Sequence, residues 1–211
     1  MSTAAPWPTL RRGLVAILRG VKPDEVVDIG HALAEAGFEA IEVPLNSPDP
    51  FRSIERLAAA LPQTLVGAGT VLAPADVDRL RDAGGRLLVS PNIDAQVMQR
   101  AASLGLVIMP GVFTPTEALL AVASGASALK FFPASVLGAS GIGAIRAVLP
   151  ADTVIGAVGG VAGSDFETYR RAGASVFGLG SSIYSPGMAA GDVARRARDA
   201  VAAWDALGAP P

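Results

Sequence analysis

The sequence contains no cysteine and a single histidine, His31. Without cysteine the chain can form neither a disulfide nor a thiolate nucleophile. One histidine and no cysteine also leave too few ligands for a transition-metal site, and the Asp and Glu residues are too scattered to indicate a calcium or magnesium site. His31 lies in the middle of a helical pattern and is interpreted as structural. We therefore predict a protein without a bound metal.

Excess charge of either sign is also missing, because the formal net charge is −2 and the pI is near 5.4. A chain of this charge has no evident affinity for nucleic acid or an anionic membrane. No apolar run approaches the roughly 18 to 20 residues that a membrane span needs. Residues 1–13 also lack the apolar core of a signal peptide. These absences predict a cytoplasmic protein with neither nucleic acid nor a membrane as partner.

Apolar residues, in contrast, are abundant: 51% of the 211 residues are hydrophobic and the mean hydropathy is +0.44. Such a composition predicts strands buried on both faces or a substantial subunit interface. The chain is long for one average domain and short for two, and no shift in composition marks a linker. We predict a single domain over residues 1–211.

Short runs rich in Val, Ile and Leu alternate with longer amphipathic segments along the whole chain. The amphipathic segments open with Pro or Asp and close on Gly or Pro, as helix ends prefer. Eight such units, spaced by roughly 20 to 25 residues, predict an α/β protein with a (β/α)8 TIM-barrel fold. An open doubly wound sheet is the alternative, but no Gly-x-Gly-x-x-Gly follows the first run. The eight runs cover residues 14–18, 40–43, 64–68, 86–90, 106–109, 127–132, 153–158 and 175–180.

In a barrel of this kind the functional site is built where the strands end and the following loops begin. Polar residues collect at those ends, whereas the opposite ends carry mostly Leu, Thr, Ala or Ser. The residues at the carboxyl ends, or in the loops that follow, are Arg19, Glu42, Asn46, Thr70, Ser90, Pro91, Pro110, Lys130, Gly159, Gly160, Gly180 and Ser181.

Lys130 is one of only two lysines and lies inside an apolar run. Side chains alternate along a strand, so Lys130 faces the barrel interior if Leu129 and Phe131 face the helices. By the same alternation Glu42 points inward from its own strand. Burial disfavours the ammonium form of a lysine and makes the neutral, nucleophilic amine more available.

A buried amine can add to a ketone and form a Schiff base, and the carboxyl of Glu42 can move the protons that this chemistry requires. The alternative is that Glu42 and Lys130 form a structural ion pair. A buried ion pair is a weak device for stability, so the catalytic interpretation is favoured.

Glycine-rich loops follow the last two strands, at Gly159–Gly160 and at Gly180 with Ser181. Exposed backbone N–H groups next to a helix start suit an anion, and these two loops are a frequent phosphate site in such barrels. Thr70 either donates its hydroxyl to a substrate carboxylate or caps the helix that begins near Pro74. Arg19 either binds a carboxylate or phosphate or is an exposed loop arginine.

Several of these residues lie in motifs that resemble the class I aldolases that cleave 2-keto-3-deoxy-6-phospho sugar acids. The resemblance covers nearly the whole chain, and the motifs are specific in combination. They read "IEVPLNSP", "VGAGTVL", "LLVSPN", "MPGVFTPTEA", "ALKFFPA" and "AVGGV".

The resemblance implies a Schiff-base lysine at Lys130, an acid/base glutamate at Glu42, no cofactor and a homotrimer. Phosphorylated keto sugar acids and pyruvate are the small molecules that it implies as binding partners. It further implies pyruvyl-end contacts from Thr70 and Arg19, a wall shaped by Pro91 and Phe132, and a phosphate held by Gly160, Gly180 and Ser181. Gly159 is a further candidate for substrate binding.

Two positions depart from the family members that act on the gluconate-derived substrate. Asn46 stands where they usually have arginine, and Val158 stands where they usually have threonine. Both residues resemble the galactonate-type branch. A threonine hydroxyl can bind a substrate hydroxyl and valine cannot, so Val158 is a candidate discriminator between C4 epimers.

The resemblance therefore implies reversible cleavage of 2-dehydro-3-deoxy-6-phosphogalactonate to pyruvate and glyceraldehyde 3-phosphate. One alternative is the gluconate-type aldolase, or an enzyme that accepts both epimers. A second is a barrel epimerase or isomerase of phosphorylated sugars, and a third is a non-catalytic sugar-phosphate sensor.

Overall fold

The computed structural model describes residues 4–208, which contain one sheet of nine parallel strands with helices around it. All eight apolar runs form strands, because their side chains are buried on both faces. The strands are β1 (Leu14–Ile17), β2 (Ala40–Pro44), β3 (Leu65–Gly69), β4 (Leu87–Val89), β5 (Val107–Met109), β6 (Gly111–Val112), β7 (Leu129–Phe131), β8 (Ile155–Val158) and β9 (Val176–Leu179).

The sheet closes into a barrel at Pro110, which separates β5 from β6. β5 pairs with β4 and β6 pairs with β7, so the strand order runs β5-β4-β3-β2-β1-β9-β8-β7-β6. The N–H of Lys130 donates to the carbonyl of Pro110 at 2.9 Å, and that of Ala128 donates to Ile108 at 3.2 Å. Proline has no N–H of its own, which interrupts the strand at this point. The TIM-barrel prediction is confirmed, and the open-sheet alternative is wrong.

Residues 4–208 form eight α-helices, of which seven connect strands and the last follows β9. Proline occupies the first turn of three of them, where its missing N–H costs nothing. Asp94 caps α4 through side-chain hydrogen bonds, and Thr114 caps α5, one of the three helices with proline in the first turn. The helices are α1 (Val26–Ala36), α2 (Pro50–Ala60), α3 (Pro74–Asp82), α4 (Ala95–Ser103), α5 (Pro115–Ala123), α6 (Ala134–Arg146), α7 (Phe166–Arg171) and α8 (Ala190–Asp205). None of them is long and apolar enough to cross a membrane.

Two apolar cores result from the alternation of side chains along each strand. The larger core lies between the barrel and the helices and includes Leu129 and Phe131. The smaller core fills the barrel interior and includes Ala128, with Phe132 packed against it. The prediction that Leu129 and Phe131 face the helices is confirmed. Lys130, between them, therefore points into the barrel.

Candidate active site

A cavity of about 360 Å³ opens at the carboxyl ends of the barrel strands. Nine of the sequence-predicted site residues line it, so loops far apart in the chain meet as the barrel topology requires. These are Arg19, Glu42, Lys130, Phe132, Val158, Gly159, Gly160, Gly180 and Ser181.

Glu42 is held in the middle of β2 and is only 1% exposed. Burial raises the pKa of its carboxyl from about 4.5 to about 7, and the positive charges of Lys130 and Arg19 offset part of that rise. A carboxyl with a pKa near neutrality can both donate and accept a proton at physiological pH, which is what general acid–base catalysis requires.

Lys130 is the central residue of β7 and is 5% exposed. Burial lowers the pKa of its ammonium group; Glu42 opposes this effect and Arg19 adds to it. The Nζ atom lies 4.8 Å from the centre of the Phe132 ring, which covers one side of the amine. These surroundings favour the neutral amine, the form that attacks a carbonyl carbon.

Glu42 and Lys130 share the cavity without forming an ion pair. Within residues 4–208 no salt bridge joins them at 4.0 Å or less, and the buried Oε2 atom of Glu42 has no hydrogen-bond partner there. A structural ion pair would place the two groups in contact and satisfy their lone pairs. The structural alternative is therefore disfavoured.

The glycine-rich loops after β8 and β9 form part of the cavity wall. Gly159 and Gly160 have φ values of 92° and 71°, which side chains rarely adopt. A Cβ on Gly159 would also lie only 3.0 Å from the ring of Phe132. Both positions thus require glycine, and they bring bare backbone to the cavity beside Gly180 and Ser181. Such a surface is suited to a phosphate.

Arg19 lies at the exposed rim of the cavity, in the loop after β1. Its Nη1 atom donates a hydrogen bond to Oδ1 of Asn46 at 2.5 Å. Arg19 is therefore both exposed and part of the cavity wall. Asn46 does not line the cavity, but it binds Arg19, which does.

Thr70 and Pro91 also lie outside the cavity lining, in the loops after β3 and β4. Thr70 directly follows β3, the strand that pairs with the Glu42 strand β2. Its φ of 57° is uncommon for a β-branched residue. It does not cap α3, whose N-cap is Ala73. Substrate contacts from Thr70 and Pro91 stay predictions.

Three cavity residues were missed by the sequence reasoning: Ile17, Val161 and Gly178. Ile17 shares the inward face of β1 with Val15, so alternation along that strand could have identified it. Gly178 makes room for Val158, since a Cβ there would lie 2.7 Å from Cγ2 of Val158. No local pattern indicates that contact.

The fold and the cavity together define a (β/α)8-barrel protein with a lysine and a glutamate buried at the carboxyl ends of its strands. Residues 9–198 match the family model described as KDPG and KHG aldolase. The chain belongs to this family and is an aldolase. This membership decides against the isomerase and sensor alternatives.

Two curated relatives and one solved structure extend the comparison. The chain is 61% identical to a probable 2-dehydro-3-deoxy-6-phosphogalactonate aldolase of Rhizobium meliloti, over 96% of both chains. It is 43% identical to the 2-dehydro-3-deoxy-6-phosphogalactonate aldolase of Escherichia coli, over 94% of this chain and 97% of that one. The structure described as native KDPGal superposes with a TM-score of 0.93 at 42% identity, covering 96% and 98% of the two chains.

Proposed function

We propose that the protein is a Schiff-base aldolase that reversibly cleaves 2-dehydro-3-deoxy-6-phosphogalactonate to pyruvate and glyceraldehyde 3-phosphate. The observation that carries this proposal is the placement of a buried amine, Lys130, and a buried carboxyl, Glu42, in one cavity, where burial lowers the pKa of the first and raises the pKa of the second. Burial favours the neutral form of each group, so the amine can attack and the carboxyl can donate a proton.

The reaction begins when Nζ of Lys130 adds to the C2 carbonyl carbon and forms a carbinolamine. Glu42 donates a proton to the C2 hydroxyl, which leaves as water and gives the iminium. The Glu42 carboxylate then accepts the proton of the C4 hydroxyl while the C3–C4 bond breaks. The electron pair of that bond moves into the iminium and forms an enamine, and glyceraldehyde 3-phosphate is released.

The second half of the cycle frees the lysine. C3 of the enamine takes a proton and becomes the methyl group of a pyruvyl iminium. Water adds to the iminium carbon, and collapse of the adduct yields pyruvate and the free amine of Lys130. A Glu42 carboxyl with a pKa of about 7 is suited to passing protons in both directions during these steps.

The choice of substrate is supported by the relatives and by the cavity wall. The two curated relatives described above carry the name of the galactonate-derived substrate. The glycine loops at Gly159–Gly160 and Gly180 suit the 6-phosphate, and Arg19 adds a positive charge at the rim. Val158 lines the cavity with an apolar side chain, which cannot form a hydrogen bond to a substrate hydroxyl.

Borohydride trapping tests the mechanism, because the chain has only two lysines. Reduction in the presence of pyruvate is expected to fix one adduct on Lys130, located by peptide mass spectrometry. Lys22→Arg, at an exposed loop position, is the matched control and should trap as the wild type does. Lys130→Arg should trap nothing, and an adduct on Lys22 alone would refute the mechanism.

The gluconate epimer is the second candidate substrate, because the family description includes KDPG aldolases. Pyruvate release from the two purified epimers should be compared by initial rates. We expect kcat/KM to be higher for the galactonate epimer. A higher value for the gluconate epimer would reverse the assignment, and equal values would indicate an enzyme for both.

We also propose that the chain assembles as a homo-oligomer. Exposed apolar side chains on α5 and in the loops before α3 and α5 support this, and they are Leu72, Phe113, Leu119 and Leu120. Sedimentation analysis should show a species several times the mass of the 21.3 kDa chain, with a trimer as the expected form. A monomer at micromolar concentration would contradict the proposal. The cytoplasmic location stays a prediction.

A further inference from the structure

We infer that Asn46 and Ser47 act together as positioning residues for Arg19, and that Asn46 serves the reaction through Arg19 instead of touching the substrate. This inference rests on the proposed function. Asn46 is exposed and does not line the cavity, whereas Arg19 does. Asn46 would then act by placing the positive charge of Arg19 at the cavity.

Two consecutive hydrogen bonds join the loop after β2 to the loop after β1. Asn46 accepts one from the Arg19 guanidinium at 2.5 Å, and Oγ of Ser47 accepts another from the N–H of Gly20 at 2.9 Å. The first bond orients the side chain of Arg19, and the second fixes the backbone next to it. Ser47 is only 8% exposed, so its hydroxyl is held in place by its surroundings.

The loop that carries the two acceptors is itself anchored. The N–H of Leu45 donates to the carbonyl of Gly69 at 2.8 Å, and the N–H of Ser47 donates to that of Pro44 at 2.9 Å. These bonds continue the end of β2 into a tight turn. An acceptor on a fixed turn can restrain a long side chain, whereas an acceptor on a freely moving loop cannot.

Gly20, the residue after Arg19, also lies against another loop. Gly20 has φ 84°, and a Cβ there would lie 2.7 Å from Cγ of Pro186 in the loop that follows β9. Gly20 therefore packs closely beside Pro186, and on this side there is no room for a side chain. A displacement of the segment Arg19–Gly20 away from Ser47 would break the hydrogen bond from the N–H of Gly20.

This restraint matters because an exposed arginine otherwise samples many rotamers. The guanidinium of Arg19 has five N–H donors, and within residues 4–208 it donates one hydrogen bond, to Asn46. Most of its donors therefore stay available to an anionic substrate. Arg19 is also close enough to act on the pKa of both Glu42 and Lys130. Positioning Arg19 thus affects substrate binding first and the charge state of the catalytic pair second.

A double-mutant cycle tests the inference. KM and kcat for pyruvate release from the galactonate epimer are measured for Arg19→Ala, Asn46→Ala, Ser47→Ala and the two double variants that combine Arg19→Ala with each of the others. Asn46→Ala is expected to raise KM about tenfold, the effect of losing a hydrogen bond to a charged group, with a smaller change in kcat. In the Arg19→Ala background neither second substitution should raise KM further.

The matched control is Gln99→Ala, which removes an exposed amide on α4 and should leave KM unchanged. The fold increase in KM of the Arg19→Ala/Asn46→Ala variant should be compared with the product of the fold increases in the two single variants. If the two are equal, Asn46 binds the substrate independently and the inference is wrong. An Asn46→Ala enzyme with wild-type KM also overturns it. Asn46 is exposed, so its substitution is expected to leave folding intact and keeps the test valid if Ser47→Ala unfolds.

The two proposals fail in different ways. In one outcome the wild-type enzyme traps and releases pyruvate as expected while the KM effects of Arg19→Ala and Asn46→Ala multiply in the double variant. That result refutes only the positioning role. A wild-type enzyme that neither traps nor releases pyruvate refutes the proposed function and this inference together.

Discussion

The carboxylate of Glu42 lies directly against Gly69 of the neighbouring strand. A Cβ placed on Gly69 would fall 2.0 Å from Oε2 of Glu42, far inside van der Waals contact. The two strands are in register, with Glu42 opposite Gly67 and Pro44 opposite Gly69, so the carboxylate reaches over the end of β3. Glycine at this position is what lets a carboxylate occupy this part of the barrel.

Gly69→Ala is therefore expected to displace the Glu42 carboxylate and lower kcat by about 100-fold, within the range for loss of a general acid–base group. Overpacking should also lower the free energy of unfolding by about 1–3 kcal/mol. Gly191→Ala is the control, because nothing lies within 4 Å of the added methyl group in α8. Initial rates and denaturant unfolding check both effects, and an unchanged kcat in Gly69→Ala would contradict this account.

Glu42→Gln should lower kcat by about 10²- to 10⁴-fold, because the amide can neither donate to the departing hydroxyl nor accept the C4 proton. Steady-state rates of pyruvate release measure the effect. Glu35→Gln, an exposed change on α1, should leave kcat unaltered. A Glu42→Gln enzyme within threefold of the wild type would remove Glu42 from the proposed mechanism.

The raised pKa of Glu42 also predicts how stability depends on pH. The carboxyl titrates near 4.5 when exposed and at about 7 in the folded protein. A raised pKa contributes stability below the unfolded value and loses that contribution as pH rises through the folded value. Wild-type unfolding free energy should thus fall by about 3 kcal/mol relative to Glu42→Gln between pH 4.5 and 7. Parallel profiles from denaturant unfolding would show that the carboxyl is not buried as described.

Val158→Thr should shift the preference between the two C4 epimers. Val158 is 4% exposed and packs against Gly178, and threonine has nearly the same shape. Its hydroxyl adds a possible partner for a substrate hydroxyl, so the ratio of kcat/KM for the gluconate over the galactonate epimer should rise about tenfold. Val148→Thr, on the surface, should leave the ratio unchanged. An unchanged ratio in Val158→Thr would move the discrimination to another residue.

Much of this site could be predicted from the chain alone, because the direction of a strand side chain is a local property. The period of two placed Lys130 and Glu42 inside the barrel and Leu129 and Phe131 outside it, and the structure confirms this placement. The glycine-rich loops were recognisable because few other residues suit those positions.

Contacts between loops could not be predicted in the same way. Arg19 and Asn46 are 27 residues apart and meet because β1 and β2 pair with Ile17 opposite Glu42. The short strand β6 was also missed, since two residues after Pro110 are too few for any periodic pattern. Thr70 and Pro91 follow strands but are not among the residues that line the cavity, so their substrate contacts stay predictions.

The chain by itself therefore determines a barrel with eight strand positions, an inward lysine and an inward glutamate, since these follow from periodicity and burial. Tertiary structure alone decides that the carboxylate of Glu42 rests on Gly69, that it forms no ion pair with Lys130, and that Asn46 reaches the cavity through Arg19. The physical reason is that distances between strands depend on register and loop geometry, which are set by contacts across the whole barrel.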